Sequence, residues 1–159
     1  MVMSVVPHPG VAADAILAAL AEVADPEIPA ISIVDLGIVH RATVAEDGRI
    51  EVELLPTFVG CPAIEAIRRA VSERLATFGR PVDVSISFEV PWTSARITAA
   101  GRRRLHDSGF APPSEPGDVH CPYCVSSNVA MDSAFGPTLC RSLFYCRACR
   151  QPFEAFKAV

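Results

Sequence analysis

Two paired-cysteine motifs near the C-terminal end constrain the fold of this chain more than any other feature. The segments Cys121–Cys124 (CPYC) and Cys146–Cys149 (CRAC) have 21 residues between them. Two residues between cysteines let both sulfurs of a tight turn face one point, and a hairpin that joins two such turns brings four thiolates together. Zinc suits this ligand set because it imposes no d-electron geometry and binds sulfur well. The spacing therefore predicts that Cys121, Cys124, Cys146 and Cys149 hold one structural zinc ion.

Two other chemistries also use four cysteines, namely a pair of disulfides in an exported domain and an iron centre. The N-terminal residues Met1–Gly10 show no basic region and no signal-peptide pattern. We therefore expect a cytoplasmic protein with reduced cysteines, which favours metal binding over disulfides. The chain also lacks a run of about 20 apolar residues, so we expect no membrane partner.

The charge of the chain argues against a general nucleic-acid-binding protein. The formal net charge is −4, and the one notable basic run is Arg102–Arg104. From Asp118 onward, four basic residues stand against three acidic ones. Affinity for nucleic acids comes largely from neutralising phosphates. We therefore expect no nucleic-acid partner.

A proline-rich segment, residues 111–117 (APPSEPG), predicts a division of the chain into two domains. Prolines and glycines at this density do not continue a helix or join a sheet interior, so the segment is interpreted as a semi-rigid linker. Residues 1–110 are long enough to bury a core of their own. Residues 118–159 are too few to do so unaided, and the metal would supply the missing stability.

Hydrophobic periodicity predicts an α+β fold, with a small helix-on-sheet domain followed by a four-cysteine zinc ribbon. Asp47-Gly48 between two apolar runs predicts a β-hairpin, because glycine tolerates the positive φ of the turn. Helices are predicted at residues 11–23, 62–78 and 97–108, and strands at 38–44, 50–55 and 82–90.

Cys61 is the cysteine of the first domain that could carry chemistry. It lies in Pro56–Pro62 (PTFVGCP), where a strand is predicted to end and a helix to begin. The partial positive charge of a helix N-terminus favours the thiolate, and Thr57 could add a hydroxyl nearby. The alternative is a small cysteine that packs under the helix. The residues alone do not separate these two interpretations.

Three carboxylates form a second candidate group. Asp25 and Glu27 flank Pro26, and Asp35 follows in the next loop, so all three could lie at one end of the sheet near Cys61. Ordinary turn chemistry is the alternative, since aspartate before proline is common in turns. His120 is interpreted as a neighbour of the metal site and not a ligand. Cys140 is either a core residue of the ribbon or a second reactive thiol.

Three segments of the first domain together resemble the SufT-like family of iron–sulfur and metal-cluster assembly domains. They are residues 25–29 (DPEIP), 32–37 (SIVDLG) and 56–62 (PTFVGCP). The second domain resembles the PaaD family, on residues 121–124 (CPYC), 135–140 (FGPTLC) and 145–153 (YCRACRQPF). The resemblance spans about residues 12–157.

This resemblance implies an accessory protein that helps mature phenylacetyl-CoA epoxidase in aerobic phenylacetate degradation. Its implied partners are the oxygenase and reductase subunits of that complex. In that family, the cysteine that matches Cys61 is the suspected metal- or cluster-handling residue. A transient iron or iron–sulfur cluster at Cys61 is therefore expected in addition to the structural zinc of the second domain. The protein itself is expected not to be an enzyme. A non-catalytic structural subunit and a zinc-ribbon regulatory protein are the alternatives. The oligomeric state is open, with a homodimer among the options.

Overall fold

A computed structural model of the chain describes residues 13–115 and 117–159. Compactness divides the chain into two units, the first ending at Trp92 and the second spanning Thr93–Val159. The first twelve residues of the predicted first domain, the start of its predicted first helix and Pro116 of the predicted linker lie outside the described residues. No helix among the described residues is long and apolar enough to cross a membrane.

The first unit is a layer of two helices on a three-stranded mixed sheet, as predicted. Strands β1 and β2 pair antiparallel through the Asp47-Gly48 turn, where Gly48 has a φ of 84°. Strands β2 and β3 pair in parallel, and helix α2 makes the crossover between them. The elements in chain order are α1 (Ala13–Leu20), β1 (Val39–Val44), β2 (Ile50–Leu54), α2 (Ala63–Ala76) and β3 (Val82–Ile86).

Apolar residues at helical spacing place the core of this unit between helix α2 and the sheet. Ile67, Val71 and Leu75 of α2 are buried, as the three- and four-residue spacing predicts. The turn before β1 is tied to the same core, because the indole Nε1 of Trp92 donates a hydrogen bond of 2.9 Å to the carbonyl of Leu36.

Strand β3 is shorter than its alternating sequence predicts. The pattern continues to Val90, but the strand ends at Ile86, and Phe88 is 66% exposed. Its neighbour β2 ends at Leu54, whose carbonyl still accepts a bond of 2.9 Å from the amide of Ser87. Beyond that point the strand has no ladder partner in β2, so alternation alone does not extend the sheet.

The second unit is a helix and a four-stranded sheet whose strands are ordered β4-β7-β6-β5. Phe144 and Phe153 stack in its small core, with ring centroids 5.6 Å apart. The elements in chain order are a 3₁₀ turn (Ser94–Arg96), α3 (Ala99–Asp107), β4 (Phe110–Ala111), β5 (Val129–Ser133), β6 (Arg141–Cys146) and β7 (Pro152–Phe156).

The second unit begins before the proline-rich segment that predicts the boundary from sequence. Residues 93–110 belong to the second unit, although the sequence assigns them to the first domain. Ala111, the first residue of the predicted linker, lies in β4 and pairs in parallel with Ala155. The carbonyl of the buried Pro113 accepts a hydrogen bond of 2.7 Å from Arg102. A two-residue strand whose partner is distant in sequence leaves no local pattern, so the sequence could not reveal this pairing.

Candidate functional site

The four predicted zinc ligands converge in the second unit. The sulfurs of Cys121, Cys124, Cys146 and Cys149 all lie within 4.8 Å of one another. Two of the separations are 3.6 Å, from Cys121 Sγ to Cys149 Sγ and from Cys124 Sγ to Cys146 Sγ. A tetrahedral zinc with Zn–S bonds of about 2.3 Å needs sulfurs about 3.8 Å apart. The four cysteines therefore lie close to the arrangement that a tetrahedral metal ion requires, and no disulfide joins them.

Each cysteine pair lies on a turn whose backbone amides point at sulfur. The residue after each second cysteine, Val125 or Arg150, has a positive φ, of 61° and 62° respectively. This left-handed conformation is uncommon for non-glycine residues. Its occurrence at the equivalent position after each cysteine pair indicates that the two turns share the same backbone conformation. Backbone N–H groups then reach the sulfurs: Ser126 bonds to Cys124 and Gln151 to Cys149. Such N–H donors stabilise thiolates and orient them toward a metal.

The pKa values of Cys124, Cys146 and Cys149 are shifted in different directions. Hydrogen bonds from the backbone N–H groups of Cys149 and Ala148 lower the pKa of Cys146 to about 7. Burial and the neighbouring thiols raise the pKa of Cys149 to about 12. The N–H of Ser126 acts to lower the pKa of Cys124, but burial and the neighbouring thiols raise it overall. Thiolates crowded this closely repel one another, so a bound cation is what allows all four to ionise.

The other two candidate residues of the second unit, His120 and Cys140, are not among the ligands of this site. His120 is exposed, and its Nδ1 lies 3.0 Å from the carbonyl oxygen of Asp118, in agreement with its interpretation as a neighbour. Cys140 is 8% exposed, and its Sγ lies 3.1 Å from Thr138 Oγ1. Of the two alternatives for Cys140, the structure favours a buried residue of the ribbon hairpin.

Cys61 lies where the sequence places it, between the end of β2 and the start of α2. The residue is half-buried. Its amide donates to the carbonyl of Phe58 at 3.1 Å, and its carbonyl accepts from the amide of Ile64 at 3.3 Å. Gly60 has a φ of 80°, which gives the loop its sharp turn before the cysteine. No side chain caps the N-terminus of α2, which begins two residues after Cys61. Thr57 is half-buried in the same loop.

The structure gives Asp25 a role in a turn. Its Oδ1 accepts hydrogen bonds from the amides of Glu27 and Ile28, at 2.8 and 2.9 Å. Asp35, which is half-buried, donates from its amide to Ser32 Oγ at 3.1 Å. Among residues 13–115 and 117–159, the four ribbon cysteines are the one group of three or more cysteine, histidine or acidic side chains close enough to share a metal ion. Cys61 and the three carboxylates do not form a second such group.

The turn role of Asp25 leads to a prediction about stability. Asp25→Ala removes the acceptor of two buried or partly buried amides, and we expect the free energy of unfolding to fall by about 1–2 kcal/mol. Asp25→Asn keeps an oxygen at Oδ1 and should cost clearly less. Thermal or urea unfolding of both variants measures the difference. Equal losses in the two variants would show that the negative charge matters and not the acceptor.

The residues that sequence reasoning missed are Val125 and Arg150. A tight turn that presents two sulfurs and the following amides requires a left-handed residue directly after it. Glycine or asparagine at that position would have indicated this, but valine and arginine conceal it.

Comparisons with known proteins match the two parts of the chain to two different families. Residues 13–88 match the family model described as iron–sulfur cluster assembly protein, and residues 106–157 match the model described as PaaD zinc beta ribbon domain. The chain is 38% identical over 152 residues to an Escherichia coli protein named as a putative 1,2-phenylacetyl-CoA epoxidase subunit, covering 91% of this chain and 92% of that relative. The chain belongs to the PaaD family.

Other similarities of this PaaD-family chain concern its first unit. It is 33% identical over 85 residues to the Fe-S protein maturation auxiliary factor YitW of Bacillus subtilis, covering 52% of this chain and 82% of that relative. The crystal structure of a domain of unknown function, DUF59, from Bacillus anthracis superposes with a TM-score of 0.54 at 27% identity. That match covers 58% of this chain and 89% of the solved one. The expected membership of an iron–sulfur assembly family is confirmed.

Proposed function

We propose that this chain is a non-catalytic maturation factor for the phenylacetyl-CoA epoxidase complex and that it handles iron or an iron–sulfur cluster at Cys61. One observation carries the proposal, namely the union in one chain of an iron–sulfur assembly domain and a PaaD ribbon. Relatives of the first domain are named as Fe-S protein maturation auxiliary factors, and a relative of nearly the whole chain is named as an epoxidase subunit. In this proposal the first domain handles the metal and the ribbon, stabilised by zinc, contacts the client.

The position of Cys61 suits a cargo that is held briefly. Cys61 is half-buried on a loop that leads into the uncapped N-terminus of α2, so a cargo bound there would remain accessible to another molecule. The described residues place no group of three ligands around it. An iron ion or cluster bound there would need further ligands from another molecule, such as the client or a second copy of the chain. The candidates for additional, transient contacts with the cargo are Thr57, Glu27 and Asp35. Asp25 could join them only if it gave up its hydrogen bonds in the turn.

A direct experiment compares the epoxidase made with and without this chain. We expect the oxygenase and reductase subunits from cells lacking it to contain less iron and to form less epoxide per subunit. Their abundance and assembly should be unchanged, as judged by gel filtration. If the chain is instead a structural subunit, we expect the opposite result, in which the metal content of the other subunits is normal but the complex fails to assemble. If the subunits made without this chain have normal iron content, assembly and activity, the chain is neither a maturation factor nor a structural subunit of the complex.

The protein alone is expected to form no epoxide. Its candidate iron ligands are few and lie on loops, and none of the helices within residues 13–115 and 117–159 carries the carboxylate–histidine pattern of a di-iron centre. We therefore expect purified protein, incubated with phenylacetyl-CoA, oxygen and a reductant, to give no product by chromatography. The complete epoxidase under the same conditions is the positive control. Epoxide formed by this chain alone would identify it as an enzyme.

A further inference from the structure

The second unit contains an open cavity that neither the metal site nor the proposed function uses. Its volume is about 440 Å³. It lies over one face of the ribbon sheet, and its lining includes Phe110, Tyr123, Asp132, Leu143, Tyr145 and Glu154. Leu143 of β6 pairs with Glu154 of β7, and Tyr145 pairs with Pro152, so these side chains share one face of the sheet.

The lining of this cavity is aromatic and acidic. Phe110, Tyr123 and Tyr145 contribute three rings, and Tyr123 and Tyr145 are 57% and 41% exposed. Asp132 and Glu154 contribute two carboxylates, and the lining includes no lysine or arginine. Aromatic faces and carboxylates both attract cations, the rings through their quadrupole and the carboxylates through their charge. The cavity is therefore complementary to a positively charged group.

Asp132 is the carboxylate that remains available for such a group. The β5–β6 pairing shifts between Met131 and Ser133, which makes Asp132 the extra residue of a bulge. Bulges commonly redirect a side chain and free it from the strand ladder. Within the part of the chain that the structure describes, no side chain forms an ion pair or hydrogen bond with this exposed carboxylate.

Two lining residues, Phe110 and Glu154, already contact one cation in this manner, although that cation, Arg141, is not itself part of the lining. Arg141 places its guanidinium 5.5 Å from the centroid of the Phe110 ring. Its Nη1 lies 2.7 Å from Glu154 Oε2, a close ion pair whose N–H direction does not meet hydrogen-bond geometry. The pair neutralises Glu154, so the remaining negative charge of the cavity is that of Asp132, next to the exposed tyrosine rings.

We propose that this cavity is a docking site for a lysine or arginine side chain of a partner protein. Its aromatic rings and the carboxylate of Asp132 attract the positive charge of a guanidinium or an ammonium. Strand β5, which carries Asp132, is an edge strand of the described sheet. Its outer backbone groups can pair with an extended segment that carries the basic residue, which favours a polypeptide over a free small cation. Tyr123 belongs to the first cysteine motif, so metal binding also positions one wall of the site.

A titration of the zinc-loaded 159-residue chain tests the proposal. The probes are acetyl-Ala-Arg-Ala-amide, its lysine form and its citrulline form, which keeps the shape of arginine without the charge. We expect the arginine and lysine peptides to shift the amide NMR signals of Asp132 and Tyr145. The citrulline peptide should bind about tenfold more weakly, because it lacks the cation that the rings and carboxylate attract.

Two variants and a fourth probe, spermidine, separate this site from general charge effects. Asp132→Asn should weaken binding of the arginine peptide about three- to tenfold, whereas Asp118→Asn, an exposed acid of the same unit that does not line the cavity, should leave it unchanged. Equal binding of the citrulline peptide, equal losses in the two variants, or no shift with either cationic peptide would overturn the proposal. Tighter binding of spermidine than of the arginine peptide would overturn it in favour of a small-cation site.

Discussion

Removing the metal from the four-cysteine site is expected to unfold the ribbon. The hydrophobic cluster of the ribbon contains six buried residues, and two of them, Cys121 and Cys146, also belong to the four-cysteine group. Without the cation, closely spaced thiols with perturbed pKa values are left in that core, and Cys146, with a pKa of about 7, would be partly ionised near neutral pH. The binding free energy of structural zinc in comparable small domains is about 10 kcal/mol or more, which exceeds what so small a core supplies.

The measurement combines metal analysis with hydrogen exchange. We expect one zinc per chain in purified protein and loss of amide protection in β5, β6 and β7 after chelation or in Cys146→Ser. Cys140→Ser is the matched control, because Cys140 is also buried in the ribbon but lies outside the four-cysteine group, and this variant should keep its zinc. A ribbon that keeps its protection after chelation, or purified protein without zinc, would contradict the prediction.

Replacing Cys61 is expected to abolish the function of the protein without unfolding it. Serine is nearly isosteric with cysteine, so Cys61→Ser should leave the first unit folded, while the loss of a thiolate ligand removes any handling of iron or a cluster. We expect a strain that lacks this protein to remain unable to grow on phenylacetate when it carries the variant. Thermal unfolding of the purified variant should show a stability within about 1 kcal/mol of the parent protein.

A substitution in the same loop provides the control for this experiment. Val59 is 85% exposed two residues before Cys61, so Val59→Ser adds a hydroxyl to the loop without touching the thiol. We expect this variant to restore growth. Full restoration by Cys61→Ser would show that the cysteine is a packing residue, and failure of both variants would assign the effect to the loop as a whole.

Much of the first unit could be predicted from sequence, because its signals are local. Apolar residues at helical spacing give the buried face of α2, and the Asp47-Gly48 turn gives the β1–β2 hairpin. The end of β3 could not be predicted, since alternation runs on to Val90 and the strand stops where β2 ceases to pair with it. The length of a strand is set by its neighbour as well as by its own residues.

Some residues of the candidate sites could likewise be identified from local sequence, whereas others could be assigned only from the folded chain. The four-cysteine group could be identified from sequence, because two residues between cysteines fix the local geometry of each turn and the hairpin brings the two turns together. The position of Cys61 before α2 also follows from the order of strand and helix patterns. Asp25 could not be assigned in this way, because a carboxylate before proline suits both a turn and a metal site. Its two amide contacts in the folded chain decide for the turn.

The sequence by itself determined the four-cysteine group, the α+β class and the membership of an iron–sulfur assembly family, since each rests on spacing within a short segment or on a run of matching residues. Tertiary structure alone decided the start of the second unit and the acidic aromatic cavity of the ribbon. Both depend on register between segments that are distant in the chain: β4 on β7, and the bulge at Asp132 against β6. Register is fixed by the packing of the whole sheet, and no local pattern of residues carries it.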